Sequence, residues 1–532
     1  MQSNKLFKDF PMSEGVKAAY ERGEEDETME PIVLEVNGTR PGAIEDGDYV
    51  IFYDIRGERE IELTRSFIEK DFKEFPRKDN RTAKFVTMVE YNKELDVDVA
   101  FPPEEEIEDT LCEVISKNGF KQAKIVETEK AVHLSYFLNG KRNEPFKGEE
   151  RIFIPSLKDI SNYDDYPEMC IDKVVETVNN CLKGKNNNFV IANFANVDVV
   201  GHIENESAVK KAVEAVDKAI GEVVKCATVS GYTTIITADH GTVEKWLYPE
   251  GTIDTGHTNS PVPFIIVPCK EERDLDKIEL RDDGELSDVA PTVFNLMGIE
   301  KPKTMTGYSI IKSGNLHNIK RNVFLLIVDG WGYSEKREGN LIAQSNTPNM
   351  DYYMKNYPFT SLVSSGEAVG MPAGTVGNSE VGHLHIGAGR RIYSDRLRID
   401  KALEDKSFFE NPAFIKAMEE SIKNNKPLHL LGIVSFYSSH GSINHLFALM
   451  EMAKEKGVKE VFIHSFLGRR GERPESGRRY IRQVEEKTKE IGIGRVVDVM
   501  GRFWSLDREE NWDRIEKTYR TLAYREGIAV KV

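Results

Sequence analysis

A chain of 532 residues is longer than one hydrophobic core ordinarily supports, and 39% hydrophobic with 30% charged residues is ordinary globular composition, so two domains are expected. The formal charge of -17 and pI near 5.3 exclude a general nucleic-acid or anionic-membrane binder, which needs a basic footprint. An anionic substrate must therefore meet a local cluster of Arg and Lys. The start, MQSNKLFKDFPMSEG, has no apolar stretch of signal-peptide length, and runs such as Val323 to Val328 are too short to span a bilayer, which points to the cytoplasm. The five cysteines, Cys112, Cys170, Cys181, Cys226 and Cys269, contain no CxxC pair and are expected to be reduced and structural.

In chain order, Asp48 to Tyr53 and Lys84 to Met88 begin an α/β pattern, which Ala100 to Asp109, AFPPEEEIED, interrupts with paired prolines and an acidic run that suits a hinge. Phe189 to Ala192, leading towards Asp198, and Thr233 to Thr237, before Asp239-His240, are short β-rich runs of the kind buried on both faces of a parallel sheet. Between them, Val209, Ala212, Val213, Val216, Ile220 and Val223 recur at helical spacing and predict a helix over Ala208 to Cys226. Val323 to Val328 is a third such strand, followed by Asp329-Gly330. A second hinge is expected around Ser394 to Ile399. Leu428 to Val434, Glu460 to Ser465 and Val496 to Met500 then resume the second α/β group. Open α/β sheets bind ligands at the carboxyl ends of their strands, where Asp198, Asp239 and Asp329 fall.

The stretch Gly377 to Gly389, GNSEVGHLHIGAG, offers Ser379 on a glycine-flanked turn suited to a phosphate, and a helix starting near Glu380 would add free backbone amides. Ser379 is there either a nucleophile or an ordinary N-cap. Asp198 and His202, four apart, share a face if their segment is helical. Asp239, His240, His257 and Asp329 complete six Asp/His donors, enough with Ser379 for two divalent cations such as Mn²⁺, Zn²⁺ or Co²⁺. Two metals about 3.5–4 Å apart stabilise the attacking and leaving oxygens of a phosphoryl displacement. Taken singly, each Asp suits a helix cap and each His a packed core; the combination is what points to chemistry.

VDGWG at Val328 to Gly332, GNSEVGH at Gly377 to His383, NFANVDVVGH at Asn193 to His202, TADHG at Thr237 to Gly241 and GHTNSPVP at Gly256 to Pro263 resemble, over nearly the entire length, the cofactor-independent phosphoglycerate mutases of the alkaline phosphatase superfamily. The order is not the family's: VDGWG and GNSEVGH come first there and follow TADHG and GHT here. The chain thus resembles a circular permutant, its usual ends joined through Tyr308 to Arg321. The resemblance implies two α/β domains: an alkaline-phosphatase-like three-layer α/β/α metal domain at 104–398, and an α/β phosphotransferase domain from 1–103 plus 399–532. It implies interconversion of 3-phosphoglycerate and 2-phosphoglycerate through a phosphoserine at Ser379, without 2,3-bisphosphoglycerate. One Mn²⁺ would sit on Asp198, His202 and His257, and the other on Asp329, Asp239, His240 and Ser379, with Co²⁺, Zn²⁺ or Mg²⁺ as alternatives. Lys130, which the residues alone place on the surface, matches the lysine that neutralises the transferring phosphoryl group. His440, Arg56, Arg59, Arg502, Arg508 and Arg470 match substrate-binding residues. A cytoplasmic monomer acting on a small phosphoglycerate, with no nucleic-acid or membrane partner, is the corresponding expectation.

Two loops depart from the family. Ser435 to Ser442, SFYSSHGS, stands where the family has a pattern like SDGGVHSH, and Phe466 to Gly471, FLGRRG, where it has one like FLDGRD. The acids missing from these loops would hold glycerate or shuttle its protons. If the glycerate escapes, water takes its place, so the alternatives are a metal-dependent phosphatase, a mutase of another phosphorylated substrate, or a non-catalytic descendant that binds metal or metabolite. Glu472, with a shifted loop, is one candidate substitute for the missing acid.

Overall fold

A computed structural model describes residues 10–103, 107–158, 163–248, 250–270, 278–313, 321–435, 440–468 and 475–532. Arg470 and Glu472, and most of the two departing loops (436–439 and 469–471), lie outside the described residues. Residues 1–103 carry strands β1 (Ile32–Glu35), β2 (Tyr49–Phe52), β3 (Lys84–Val89) and β4 (Asp98–Phe101). The middle of the chain carries β5 (Gln122–Glu127), β6 (Glu149–Ile154), β7 (Phe189–Phe194), β8 (Tyr232–Thr237), β9 (Val262–Val267), β10 (Glu279–Leu280), β11 (Ile311–Ser313), β12 (Asn322–Val328) and β13 (Phe359–Leu362). The last part adds β14 (Leu428–Ile433), β15 (Val461–Leu467), β16 (Arg495–Gly501) and β17 (Ile528–Lys531).

The chain divides into two α/β units, one of residues 1–103 with 398–532 and one of residues 104–397. In the continuous unit a seven-stranded sheet runs β13-β9-β8-β12-β7-β5-β6. Its strands β8, β12, β7, β5 and β6 are parallel, so their carboxyl ends share one edge. The central β12, NVFLLIV, is buried from Val323 onward, as expected for a strand covered on both faces. The helix predicted over Ala208 to Cys226 runs over Glu206–Ser230: Asn205 caps its start by accepting from Ala208 N, and Gly231 ends it in the left-handed conformation at φ 86°. Its stripe of Val209, Ala212, Val213, Val216, Ile220 and Val223 enters the core of this unit.

The other unit is an eight-stranded sheet, β17-β1-β16-β15-β14-β2-β3-β4, parallel from β16 to β4 and with β1 antiparallel to β16. It has a hydrophobic core of its own. Polar residues cross that core as a chain: Asp48 Oδ2 lies 3.3 Å from His429 Nε2, His429 Nδ1 2.9 Å from His464 Nε2, and His464 Nδ1 2.6 Å from Asp498 Oδ2, which also accepts from Arg525. The boundary between the units falls at Leu397/Arg398, inside the stretch Ser394 to Ile399 where a hinge is expected, but the segment is the helix Asp395–Glu404, with Ile399 and Ala402 in the core, and not an irregular linker. No described helix is long and apolar enough to cross a membrane.

Candidate metal centre

Four adjacent strand ends supply most of the site. After β5, a short 3₁₀ turn, Thr128–Lys130, turns Lys130 inward. After β7, the helix Asn196–Gly201 carries Asp198 in its first turn and ends on His202. Asp239 and His240 follow β8, and Asp329 follows β12. Gly330 has φ 79°, and a side chain there would stand 2.8 Å from the Asp198 backbone, so the turn after β12 closes against Asp198 only with glycine. Ser379 opens the helix Ser379–Ala388. The N-cap is Asn378, whose side chain accepts from Val381 N, so Ser379 is not the cap and its hydroxyl is left for other partners.

Ser379 Oγ lies 2.5 Å from Lys130 Nζ, 3.0 Å from His240 Nε2 and 3.3 Å from Asp329 Oδ1. Lys130 also donates to Asp198 Oδ2 at 2.6 Å and Asp329 Oδ1 at 2.9 Å. Far from being a surface residue, it is 5% exposed. Burial alone would lower its pKa, but Asp329, Asp198 and Asp239 hold the ammonium above the ordinary lysine value. Burial, with Asp239, raises Asp329, whereas at Asp198 Lys130 and His240 outweigh burial and keep the carboxyl well below its usual range.

The imidazoles are set as ligands. His202 Nδ1 donates to Thr255 O at 2.7 Å and His257 Nδ1 to Gly377 O at 3.0 Å. Each neutral ring then presents Nε2 as an acceptor, and the two Nε2 atoms face one another at 3.1 Å. Two facing lone pairs repel, a conflict that a metal ion relieves, as does a proton on His202, whose pKa its bond to Asp198 raises. Asp198 Oδ1 lies 3.4 Å from His202 Nε2 and 3.2 Å from His257 Nε2. Asp198, His240 and His257 can converge on one ion, and Asp239, His240 and Asp329 on another. His240 therefore belongs to both groups by distance, while His202 stands at the open rim. Three buried carboxylates, Asp198, Asp239 and Asp329, face one ammonium, with the imidazole Nδ1 of His383 3.2 Å from Asp239 Oδ2, so the site is short of positive charge. The donor set fits divalent cations.

Two residues inside the quoted motifs escaped sequence reasoning. His383, one helical turn after Ser379, donates from Nδ1 to Ser379 O at 2.9 Å. Asn193 at the end of β7 joins Asp329 Oδ2, at 2.8 Å, to His383 Nε2, at 3.0 Å. The i, i+4 spacing of Ser379 and His383 was the available signal.

In the other unit, Arg56, Arg59, Arg502, Arg508 and His440 share one region. Burial and the charges of Arg508 and Arg502 depress Arg59, and the charges of Arg502, Arg56 and Arg59 bear on His440. Arg59 donates to Leu506 O, Arg502 to Glu27 and Arg508 to Glu58. His440 Nδ1 lies 3.0 Å from Glu60 Oε1.

A family model described as the metalloenzyme superfamily matches residues 27–301, more than half of the chain. The chain belongs to the metalloenzyme superfamily. The cluster at the strand ends is accordingly a site of divalent-metal dependence, in keeping with the superfamily and with its donors. A second model, described as the BPG-independent PGAM N-terminus, matches residues 399–531, so a segment named for an N-terminus follows the superfamily match here. Curated relatives named 2,3-bisphosphoglycerate-independent phosphoglycerate mutase are similar in part. The protein of Syntrophotalea carbinolica is 42% identical over 55% of this chain and 56% of its own. That of Pseudomonas aeruginosa is 40% identical over 56% and 57%, and that of Lachnoclostridium phytofermentans 46% identical over 39% and 41%. The chain spans about half the length of the curated relatives it matches. A solved Leishmania mexicana phosphoglycerate mutase is 28% identical over 53% of each chain, with a TM-score of 0.37.

Proposed function

We propose that this chain interconverts 3-phosphoglycerate and 2-phosphoglycerate through a phosphoserine at Ser379, using two divalent ions, Mn²⁺ by preference, and no 2,3-bisphosphoglycerate. The observation that carries the reading is the setting of Ser379 Oγ, within 3.3 Å of an ammonium, an imidazole and a carboxylate at the start of a helix. Asp198, His202 and His257 would hold one ion, and Asp239, His240, Asp329 and Ser379 the other. When bound, such ions stabilise charge on the attacking and leaving oxygens and ease loss of the serine proton. Lys130 offsets charge on the phosphoryl oxygens, and the amides of the first helical turn add donors. The arginines of the other unit, with His440, hold the carboxylate and hydroxyls of the glycerate. In this reading 104–398 is the phosphatase-like domain and 1–103 with 399–532 the phosphotransferase domain of a permuted, monomeric, cytoplasmic enzyme. The order of the two family matches supports the permutation.

The loops that lack the family's acids favour a second outcome, loss of glycerate and release of phosphate. A phosphorus NMR time course on 3-phosphoglycerate decides between them. We expect 2-phosphoglycerate with Mn²⁺, none after EDTA treatment, and none from Ser379→Ala. Inorganic phosphate in place of 2-phosphoglycerate would establish the phosphatase; an unchanged spectrum with Mn²⁺ would overturn both.

A further inference from the structure

Asn193 and His383 form a bridge behind the metal centre, within residues 104–397. Asn193 lies near the end of β7 and His383 in the helix Ser379–Ala388, and both side chains are fully buried. The Asn193 amide has two N–H groups and uses both here: Nδ2 donates to Asp329 Oδ2 at 2.8 Å and to His383 Nε2 at 3.0 Å. Its carbonyl Oδ1 is buried with no hydrogen-bond partner among the described residues. A buried carbonyl without a donor is costly, so the amide is not turned this way for its own satisfaction. Its neighbours set the orientation. A carboxylate only accepts, so the amide must turn its nitrogen towards Asp329. His383 donates from Nδ1 to Ser379 O at 2.9 Å, which leaves the Nε2 lone pair to accept the second N–H. His133, in the π-helical turn His133–Phe137, backs this imidazole, with ring centres 5.8 Å apart.

The consequence falls on Asp329. With Oδ2 held by Asn193, the oxygen turned to the site is Oδ1, 2.9 Å from Lys130 Nζ, 3.3 Å from Ser379 Oγ and 3.5 Å from His240 Nε2. Asp239 is divided in the same way. Its Oδ1 accepts from His240 N at 3.1 Å and Gly330 N at 3.3 Å, while Oδ2 lies 3.5 Å from His240 Nε2 and 3.2 Å from His383 Nδ1.

Resting on the reading above, in which Asp239, His240, Asp329 and Ser379 share an ion, we propose that Asn193 and His383 are positioning residues that hold Asp329 to a single ligand oxygen and so keep a ligand position for Ser379 Oγ. Asn193 occupies the second oxygen of Asp329. His383 fixes the amide, so that its nitrogen stays on the carboxylate. A carboxylate released from Asn193 can turn both oxygens to the ion and take the position that the serine hydroxyl needs.

The test uses the whole chain with Mn²⁺ and reads three quantities: kcat and KM for 2-phosphoglycerate formation, the Mn²⁺ Kd by titration calorimetry, and the electron paramagnetic resonance spectrum of bound Mn²⁺, which follows its ligands. Asn193→Leu, of similar size and without a donor, should lower kcat roughly 10–100-fold with little change in KM. Its spectrum should change while its Kd stays the same or tightens. Two variants of His383 separate the roles of the imidazole. Gln can place an acceptor where Nε2 stands, whereas Asn reaches only the Nδ1 position. His383→Gln should therefore recover most of the kcat and the spectrum that His383→Asn loses. An equal or reversed order overturns the proposal, because it leaves His383 only packing the helix or holding Ser379 O; this pair decides the matter even where Asn193→Leu does not fold. Asn193→Leu with kcat and spectrum unaltered, or with Mn²⁺ binding weakened in step with kcat, overturns it too. An unaltered protein that binds Mn²⁺ but forms no 2-phosphoglycerate overturns the mutase reading, and Kd and spectrum still decide the positioning. An unaltered protein that binds no Mn²⁺ overturns both.

Discussion

Lys130 touches two carboxylates and the Ser379 hydroxyl, so its charge has two separable consequences. Lys130→Met should lower phosphoryl transfer to Ser379 by roughly 10²–10³-fold, because a donor aimed at developing charge is lost. The same change should leave Mn²⁺ binding intact or tighter, because the carboxylates no longer share their charge with an ammonium; titration calorimetry reads this directly. Weaker Mn²⁺ binding would mean that Lys130 shapes the metal centre instead. This side chain also marks where sequence reading stops. Asp198, Asp239, His240 and Asp329 are conspicuous because each follows an apolar strand. The setting of Lys130 comes from partners 68, 199 and 249 positions away, and a lysine after a short turn otherwise reads as surface. Glu60, beside His440, is hidden for the same reason: nothing local distinguishes an acid that will be buried from one that will be solvated.

At the level of elements, the helix Ser379–Ala388 reaches the sheet through Gly382, where a side chain would stand 2.6 Å from Asp239 O and 2.8 Å from Asp239 Cβ. Alanine gains about 1 kcal/mol of helix propensity over glycine. Gly382→Ala should nonetheless destabilise by about 1–3 kcal/mol in urea titrations, because helix and strand end must part. It should also weaken Mn²⁺ binding by displacing Asp239. A more stable variant with unchanged Mn²⁺ affinity would show that the contact yields easily. Strand positions were legible from runs buried on both faces, as in β7, β8 and β12. Helix ends were less so: the stripe from Val209 to Val223 marks the middle of Glu206–Ser230, while caps at Asn205 and Gly231 set its limits. The unit boundary at Leu397/Arg398 is legible as the expected hinge at Ser394 to Ile399, but the helix Asp395–Glu404 across it is not, because its buried Leu397, Ile399 and Ala402 are thinly spread among charges.

For the molecule as a whole, two separate hydrophobic cores lead to two thermal transitions with different handles. Mn²⁺ at one hundred times its Kd stabilises the unit that binds it by about 2.7 kcal/mol, so calorimetry should show one transition rising by several degrees and the other still. The other transition should respond to acid. Burial holds His429 at about 4, below the usual imidazole value of 6.5, and Asp48 and Asp498 lie below the ordinary carboxylate value. On acidification the unfolded chain takes up these protons first, so the stability present above pH 6.5 is lost progressively towards pH 4. His429→Gln should flatten that dependence, and a single transition moved equally by Mn²⁺ and acid would contradict the division. The sheet order carries a further consequence, for synthesis. β1 and β2 are separated in the sheet by β16, β15 and β14, which are made only after residues 104–397. Residues 104–397 can complete their sheet while the polypeptide is still growing, but β1 and the inner edge of β2 must wait with unpaired backbone until β14 to β17 have been made. The early residues are thus those longest exposed to aggregation, and the ones a trigger-type chaperone would have most reason to shield.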